Sequence, residues 1–319
     1  MKITSDYPIN ENVLKDCSDI LKDYDIGVSL RINQDFEKTF LTDLTPNKCR
    51  FCGKSYPEVK FEHESHTIPE FMGNKKLFSK FECDSCNKDN FCSFESEMAN
   101  FMLPHNTLSG IRGKKNKIPK YNQKGNPIIK NEPDKILITG VPDSILLAED
   151  DNNLNLTIKT PTYIPDYIYR CLVKIGLSII PEGHLDDYKS TLKWLMDKNM
   201  QSNMKPFLLF SIYPYSLQLK DIFCALLVRK EECTKNVPHT ILFLSYKSFA
   251  FQIYLPYSSK ERLNIKLKAI PFIYPTALDL NKNNEGCRTF NLIDLSSTEK
   301  KNNETITLKI SGERKIAEI

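Results

Sequence analysis

Hydrophobic and polar positions follow a helical period in two stretches of the chain and a strand-like pattern in most of its second half. A short amphipathic helix is predicted over residues 12–24. Pro165 opens a longer one, in which Ile168, Leu172, Ile175 and Ile179 recur at three- and four-residue spacing. A further helix is predicted over residues 185–200. Strand-like runs are predicted over residues 136–138, 144–148, 154–159, 207–213, 222–229, 241–246 and 249–255.

These elements predict four segments. Residues 1–45 form an N-terminal extension that we expect to pack on the module following it. Residues 46–103 form a cysteine-rich module, ending in a helix predicted over 91–101, and residues 104–133 a loop-like basic linker. Residues 134–319 form a separate α+β domain with a largely antiparallel sheet, containing a hairpin turn at residues 150–153 and a weakly patterned tail after residue 281. A length of 319 residues suits roughly two domains.

The composition is typical of a folded protein and gives the chain a modest positive charge. Hydrophobic residues make up 40% of the chain and charged residues 26%, which excludes a disordered chain, and the net charge is +4. One block of the linker, residues 112–130, is strongly basic, and Glu132 is the one acid of the linker. Its predicted nucleic-acid-binding residues are Arg112, Lys114, Lys115, Lys117 and Lys120, with Tyr121 as a base-stacking candidate. A solvated loop is the alternative interpretation.

Targeting signals are not evident in the sequence. The first residues contain no apolar segment of the signal-peptide type, and apolar runs such as 222–228 are far shorter than the ~18 residues that span a bilayer. We therefore expect a soluble, cytoplasmic protein without membrane contact. In such a compartment, cysteines are more suited to metal ligation than to disulfides.

Four of the ten cysteines form two closely spaced pairs. Cys49 and Cys52 make one C-x-x-C knuckle, and Cys83 and Cys86 make the other. Four thiolates predict a closed, tetrahedral, structural zinc site with no open position for a catalytic water. The other six cysteines are scattered and are interpreted as buried or surface thiols: Cys17, Cys92, Cys171, Cys224, Cys233 and Cys287.

The segment between the knuckles contains His66-Thr67-Ile68-Pro69-Glu70 followed by Gly73-Asn74, and Asn87 directly follows the second knuckle. In order and spacing, these residues resemble the HNH endonuclease family in its four-cysteine form, over about fifty residues. The resemblance implies a zinc-stapled ββα-metal fold, treble-clef-like, in which two antiparallel strands and a helix hold one divalent ion. It also implies a histidine general base.

The family's roles map onto individual positions. His66 matches the general base, with a structural histidine beside the zinc as the alternative. Asn87 matches a ligand of the catalytic ion at the start of the helix; a helix N-cap is its alternative. Asn74 is a candidate for orienting His66, and equally a turn residue.

Two positions depart from the family pattern. Ser65 stands where many members have a metal-binding acid, and Phe78 where some have a second asparagine. Glu95, on the predicted helix, is a substitute carboxylate for the ion. Glu64 is another, because a strand over residues 61–66 would put Glu62, Glu64 and His66 on one face, away from His63.

The resemblance implies a metal-dependent endonuclease that hydrolyses phosphodiester bonds, in DNA above all, with RNA left open. It would use structural Zn²⁺ and catalytic Mg²⁺ or Mn²⁺, under targeting or control by the C-terminal domain. A non-catalytic zinc module that binds nucleic acid or protein is the alternative, which Ser65 keeps open. A homodimer is compatible with the sequence.

Overall fold

The computed structural model describes residues 8–125, 127–140, 146–150, 153–200, 205–262 and 272–311. Its α-helices are α1 (Glu11–Asp23), α2 (Cys92–Leu108), α3 (Pro165–Ile179) and α4 (Lys189–Met196). A 3₁₀ segment, Glu182–Tyr188, precedes α4. None of the helices in the described ranges is long and apolar enough to cross a membrane.

Within these ranges, the strands form four separate sheets. The six-stranded sheet has the order β1-β10-β11-β12-β9-β13, and its neighbouring strands are antiparallel. The strands are β1 (Tyr24–Ile32), β2 (Thr39–Leu41), β3 (Ser65–His66), β4 (Leu77–Ser79), β5 (Ile128–Asn131), β6 (Ile136–Thr139), β7 (Leu146–Asp150), β8 (Asn153–Lys159), β9 (Phe207–Ile212), β10 (Leu219–Arg229), β11 (Thr240–Lys247), β12 (Phe249–Tyr254), β13 (Thr289–Asp294) and β14 (Thr305–Ser311). The smaller sheets are β14-β8-β7, β2-β4-β3 and β5-β6. The predicted α+β class with a largely antiparallel sheet is confirmed.

The central strands of the six-stranded sheet are largely apolar runs, whereas the edge strands β1 and β13 are mostly exposed. Every residue of β12 is buried, and so are seven of the eight in β11. Helix α3 packs close to this sheet at Gly176, where an added Cβ would meet the Leu255 side chain at 2.8 Å. A glycine there permits the close approach of helix and chain.

The cysteine-rich module forms the predicted ββα unit. Strands β3 and β4 are antiparallel, with His66 opposite Phe78. Helix α2 follows the second knuckle and packs on α3 through aromatic contacts such as Phe94 with Tyr167, whose ring centroids are 4.9 Å apart. One buried apolar cluster runs from the module through α3 into the six-stranded sheet.

Several predicted elements differ from the structure. The strand over 61–66 that the argument for Glu64 assumed does not form, since only Ser65 and His66 are extended in a ladder. Helix α2 continues through Pro104 to Leu108, into the predicted linker. The N-terminal extension packs only in part on the module: β2 pairs with β4, but β1 pairs with β10 in the large sheet.

The tail after residue 281 contains two strands, β13 and β14, that its weak pattern did not predict. Residues 144 and 145 of one predicted strand, and residues 151 and 152 of the predicted hairpin turn, lie outside the described residues.

Candidate functional site

The four patterned cysteines converge on one point. The Sγ atoms of Cys49 and Cys86 are 3.8 Å apart, as are those of Cys52 and Cys83, and all four lie within 4.8 Å of one another. Tetrahedral zinc with Zn–S bonds of about 2.3 Å requires sulfur separations of about 3.8 Å. The donor set and its spacing therefore fit the predicted structural zinc.

Local backbone geometry brings the two knuckles together. Gly53 adopts a φ of +74°, and its N–H donates to the Cys49 carbonyl at 2.8 Å, closing the first knuckle. A left-handed φ of this kind favours glycine. The Arg50 N–H donates to the Phe81 carbonyl at 2.8 Å, which ties the first knuckle to the chain entering the second.

His66 lies at the end of β3 in a half-buried position. Its ring centroid is 4.6 Å from that of Phe78 on the paired strand. Burial lowers the pKa of His66, and the neighbouring charge of Glu70 opposes that shift. A lowered pKa keeps the imidazole neutral near pH 7, the state in which it can accept a proton.

A π-helical turn, Cys86–Phe91, precedes α2 and aligns two candidate ligands. The Cys92 N–H donates to the Asn87 carbonyl, five residues back. In a regular α-helix Asn87 and Glu95 would differ in direction by about 80°, but the extra residue of the π turn brings them within about 20°. They lie about two turns apart, roughly 11 Å along the axis.

These two side chains offer hard oxygen donors. Side chains of a helix lean toward its N-terminus, so Glu95 leans toward Asn87. An amide oxygen and a carboxylate are donor types that suit the implied Mg²⁺ or Mn²⁺.

Residues 49–100 match the family model described as HNH endonuclease. This part of the chain is an HNH domain. No curated protein and no solved structure matches the chain. The residues that match include the four cysteines, His66, Asn87 and Glu95, and they end within α2.

The loop between the two strands of the HNH domain is held by Asn74. Its side-chain amide donates to the carbonyls of Ile68 at 2.7 Å and Leu77 at 2.8 Å, and its oxygen accepts from the Leu77 N–H at 2.9 Å. Asn74 is fully buried. These bonds connect it to the loop backbone, and none of its hydrogen bonds within the described ranges goes to the His66 ring.

The acidic residues upstream of His66 lie on the surface. Lys38 Nζ contacts both carboxylate oxygens of Glu64 at 2.7 Å. The backbone N–H groups of Glu62 and His63 donate to Asp84 at 3.1 and 3.0 Å, in place of a strand ladder. Because no strand forms there, alternation does not bring Glu62 and Glu64 onto the face of His66, and that part of the prediction is wrong.

Ser65 replaces the family acid with a buried hydroxyl. Its side chain is fully buried, and its Oγ has no hydrogen-bond partner among the residues that the structure describes. A hydroxyl supplies a weaker donor than a carboxylate to a divalent ion. The carboxylate of Glu95 is therefore the stronger candidate ligand in this HNH domain.

Two charged residues near the site were not predicted from the sequence. Lys174, on α3, donates to the His66 carbonyl at 2.9 Å and lies 3.0 Å from Glu82 Oε2. Burial raises the pKa of Glu82 to about 7. The signal for Lys174 was a lone cation in the apolar run 171–177, whereas nothing in the sequence indicated that Glu82 would be buried.

The basic segment, residues 112–130, lies against the loop that follows His66. Lys75 Nζ donates to the Gly113 carbonyl at 3.0 Å, and the Asn106 side chain donates to the Phe71 carbonyl at 3.2 Å. The five predicted nucleic-acid-binding residues are all exposed: Arg112, Lys114, Lys115, Lys117 and Lys120. Tyr121 is buried and donates to the Lys159 carbonyl at 2.6 Å, so the prediction that it stacks on a base is wrong.

Proposed function

We propose that the HNH domain is a metal-dependent endonuclease that hydrolyses phosphodiester bonds, with DNA as the principal substrate. The observation that carries the proposal is the half-buried His66, whose pKa is lowered by burial, in an HNH domain whose thiolate cluster is separate from it. A zinc ion saturated by four thiolates has no position for a reactive water, so catalysis requires other residues.

In the proposed reaction, His66 accepts a proton from water as the water oxygen attacks the phosphorus atom. A new P–O bond forms, the bond from phosphorus to the leaving sugar oxygen breaks, and that oxygen takes up a proton from solvent. Asn87 and Glu95 would hold a Mg²⁺ or Mn²⁺ ion, which supplies charge stabilisation at the phosphate when bound. Asn74 acts indirectly, by keeping the loop between β3 and β4 closed.

The exposed cations of the basic segment would contact the phosphate backbone beside the site. Such contacts give affinity without base readout, so we expect binding that depends on salt more than on sequence. They do not distinguish DNA from RNA. Targeting or control by the C-terminal half, and a homodimer, remain predictions.

A non-catalytic zinc module is the second candidate, and Ser65 is the observation that favours it. A module without the family's acid would retain zinc and nucleic-acid affinity but would have no hydrolytic rate. Glu95→Gln separates the two candidates, since replacement of the proposed ligand should lower cleavage by about 10²-fold or more while leaving zinc in place.

The test of the function is cleavage of a supercoiled plasmid, with a labelled RNA in parallel. The protein is freed of loosely bound ions, its zinc content is measured, and Mg²⁺ or Mn²⁺ is added back. We expect nicked or linear DNA only with added ion. Absence of cleavage under every ion, by protein with a full complement of zinc, would support the non-catalytic module.

A further inference from the structure

Lys174 extends from α3 into the HNH domain and is buried there, with 1% of its side chain exposed. Its ammonium donates to the His66 carbonyl at 2.9 Å and lies 3.0 Å from Glu82 Oε2 and 3.7 Å from Glu95 Oε1. The ring of Phe91 lies 5.6 Å away and closes one side. One carbonyl and two carboxylates thus surround the ammonium, which donates a hydrogen bond to the carbonyl and is ion-paired with the carboxylates.

The three groups lie in three parts of the HNH domain. His66 is on β3, Glu82 directly precedes the second zinc knuckle, and Glu95 is on α2. A single ammonium therefore connects the strand that carries the proposed base with the helix that carries the proposed ligand. Catalytic groups must keep their separation to within a fraction of an ångström for full activity.

Helix α3 is itself fixed to the zinc knuckle. Arg50, between the first two cysteines, donates to the carbonyls of Leu177 and Ile180 at 2.8 Å each, and it is paired with Asp43. These contacts lie at the C-terminal end of α3, about one turn beyond Lys174. The Lys174 ammonium is therefore connected to the HNH domain in two ways. Its own contacts reach His66 and Glu82, and Arg50 holds the end of its helix beside the thiolate cluster.

Stability alone does not require a lysine at this position. The residues beside it on α3, Leu172, Val173 and Ile175, are fully buried and apolar. Burying an ammonium costs desolvation free energy, and an apolar side chain of similar volume is often equally stable when the partner charge is removed as well. A charged group in such a place is better explained by the geometry that it imposes.

We propose that Lys174 is a positioning residue of the HNH site, supplied by α3 from outside the family-matched residues, so that the HNH domain is incomplete without this helix. The inference rests on the proposed function. Lys174 acts through His66 and Glu95 and does not itself touch the substrate.

The test compares Glu82→Gln with the double variant Glu82→Gln/Lys174→Met. The single variant keeps the contacts of Lys174 with His66 and Glu95. The double variant removes them without leaving the buried Glu82 carboxylate unpaired. Lys198→Met is a matched control, because Lys198 also comes from the C-terminal half and donates to an HNH carbonyl, that of Asp89 at 3.0 Å.

We expect all three variants to retain zinc and Lys198→Met to unfold near the wild-type temperature. The double variant should be at least as stable as Glu82→Gln, because the single variant leaves the buried Lys174 ammonium without its nearest carboxylate. In the double variant alone, the Thr67 amide resonance should move, because that amide shares a peptide unit with the His66 carbonyl. Its kcat for plasmid cleavage should fall at least about tenfold with KM little changed. Glu82→Gln and Lys198→Met should stay near wild type in both measurements.

A double variant with wild-type kcat and an unmoved Thr67 resonance would overturn the positioning role. Loss of zinc or of thermal stability relative to Glu82→Gln would also overturn it, by making Lys174 a structural residue. If the wild type cleaves nothing with any divalent ion, the proposed function fails and the positioning role with it. If the wild type cleaves and the double variant cleaves equally well, the positioning role alone fails and the proposed function stands.

Discussion

The HNH domain and the six-stranded sheet are stabilised in different ways. In the HNH domain, β3 has two residues and β4 three, and the fold depends on the four thiolates and on side-chain clasps such as Asn74. In the sheet, β10 has eleven residues and β11 eight, and nearly every side chain of β11 and β12 is buried. The HNH domain thus brings charged groups together with little regular structure, whereas long strand ladders and apolar contacts hold the sheet.

Removing one thiolate should have the largest effect, because it should unfold the HNH domain and leave the six-stranded sheet folded. Cys83→Ser should release zinc and unfold the HNH domain, since structural zinc contributes on the order of 10 kcal/mol to folding. Hydrogen exchange should rise across residues 49–100 while strands β10 to β12 stay protected. Cys92→Ser is the control, because Cys92 is exposed and outside the cluster. A Cys83→Ser protein with unchanged zinc content would refute the cluster as the metal site.

The second-largest effect is a pH dependence of stability, expected where helix α2 contacts the six-stranded sheet. His105, on α2, is packed against Phe210 and Phe249 of the sheet, and its Nδ1 lies 2.9 Å from the Tyr215 hydroxyl. Burial lowers the pKa of His105 to about 4. The unfolded chain therefore binds the proton first, and stability that is complete above pH 6.5 is lost as the pH falls toward 4, by roughly 3 kcal/mol.

Urea unfolding of wild type and His105→Phe at pH 7.5 and pH 4.5 measures this contribution. Between pH 7.5 and pH 4.5 the free energy of unfolding should fall more in the wild type than in His105→Phe, because phenylalanine does not titrate. The buried His239 is common to both proteins and cancels. Equal losses of stability on acidification would show that His105 does not set the pH dependence of this contact.

A smaller effect is expected on nucleic-acid binding beside the HNH domain. Replacing Lys114, Lys115 and Lys117 with Glu should weaken DNA binding for all sequences and reduce the salt slope by up to about 3. The control makes the same charge change on three exposed lysines near α1: Lys15, Lys22 and Lys282. Equal weakening in the two proteins would mean that net charge, and not the basic segment, determines binding.

The smallest effect separates surface acids from site residues. Glu64 is half exposed and paired with Lys38, so Glu64→Gln should change the cleavage rate by less than about fivefold. Initial cleavage rates over a range of Mg²⁺ concentrations measure this. A loss as large as that of Glu95→Gln would instead make Glu64 a ligand of the catalytic ion.

The sequence predicted those features that follow from the spacing of cysteines or from the pattern of apolar residues. The two knuckles indicated the thiolate cluster, and the apolar runs around residues 207–255 indicated four strands of the large sheet. Long-range pairing could not be predicted in the same way. Strand β1 pairs with β10, about 200 residues later in the chain, and nothing local to residues 24–32 specifies that partner.

Side-chain partners outside the motif were also beyond prediction. The stretch from Glu62 to Glu64 is polar enough for a half-exposed strand, but the Asp84 carboxylate accepts the N–H groups that a ladder would need. Lys174 is 108 residues from His66, and the packing of α3 on the HNH domain brings the two together.

Single-turnover DNA cleavage by His66→Ala and His63→Ala tests the central claim most directly. Both variants are first matched to wild type in zinc content, thermal stability and DNA affinity. His66→Ala should lower the rate by about 10²–10⁴-fold, as expected for loss of a general base. His63→Ala should cleave at nearly the wild-type rate, because His63 is exposed and lies outside the strand. Wild-type cleavage by His66→Ala, or an inactive His63→Ala, would contradict the account.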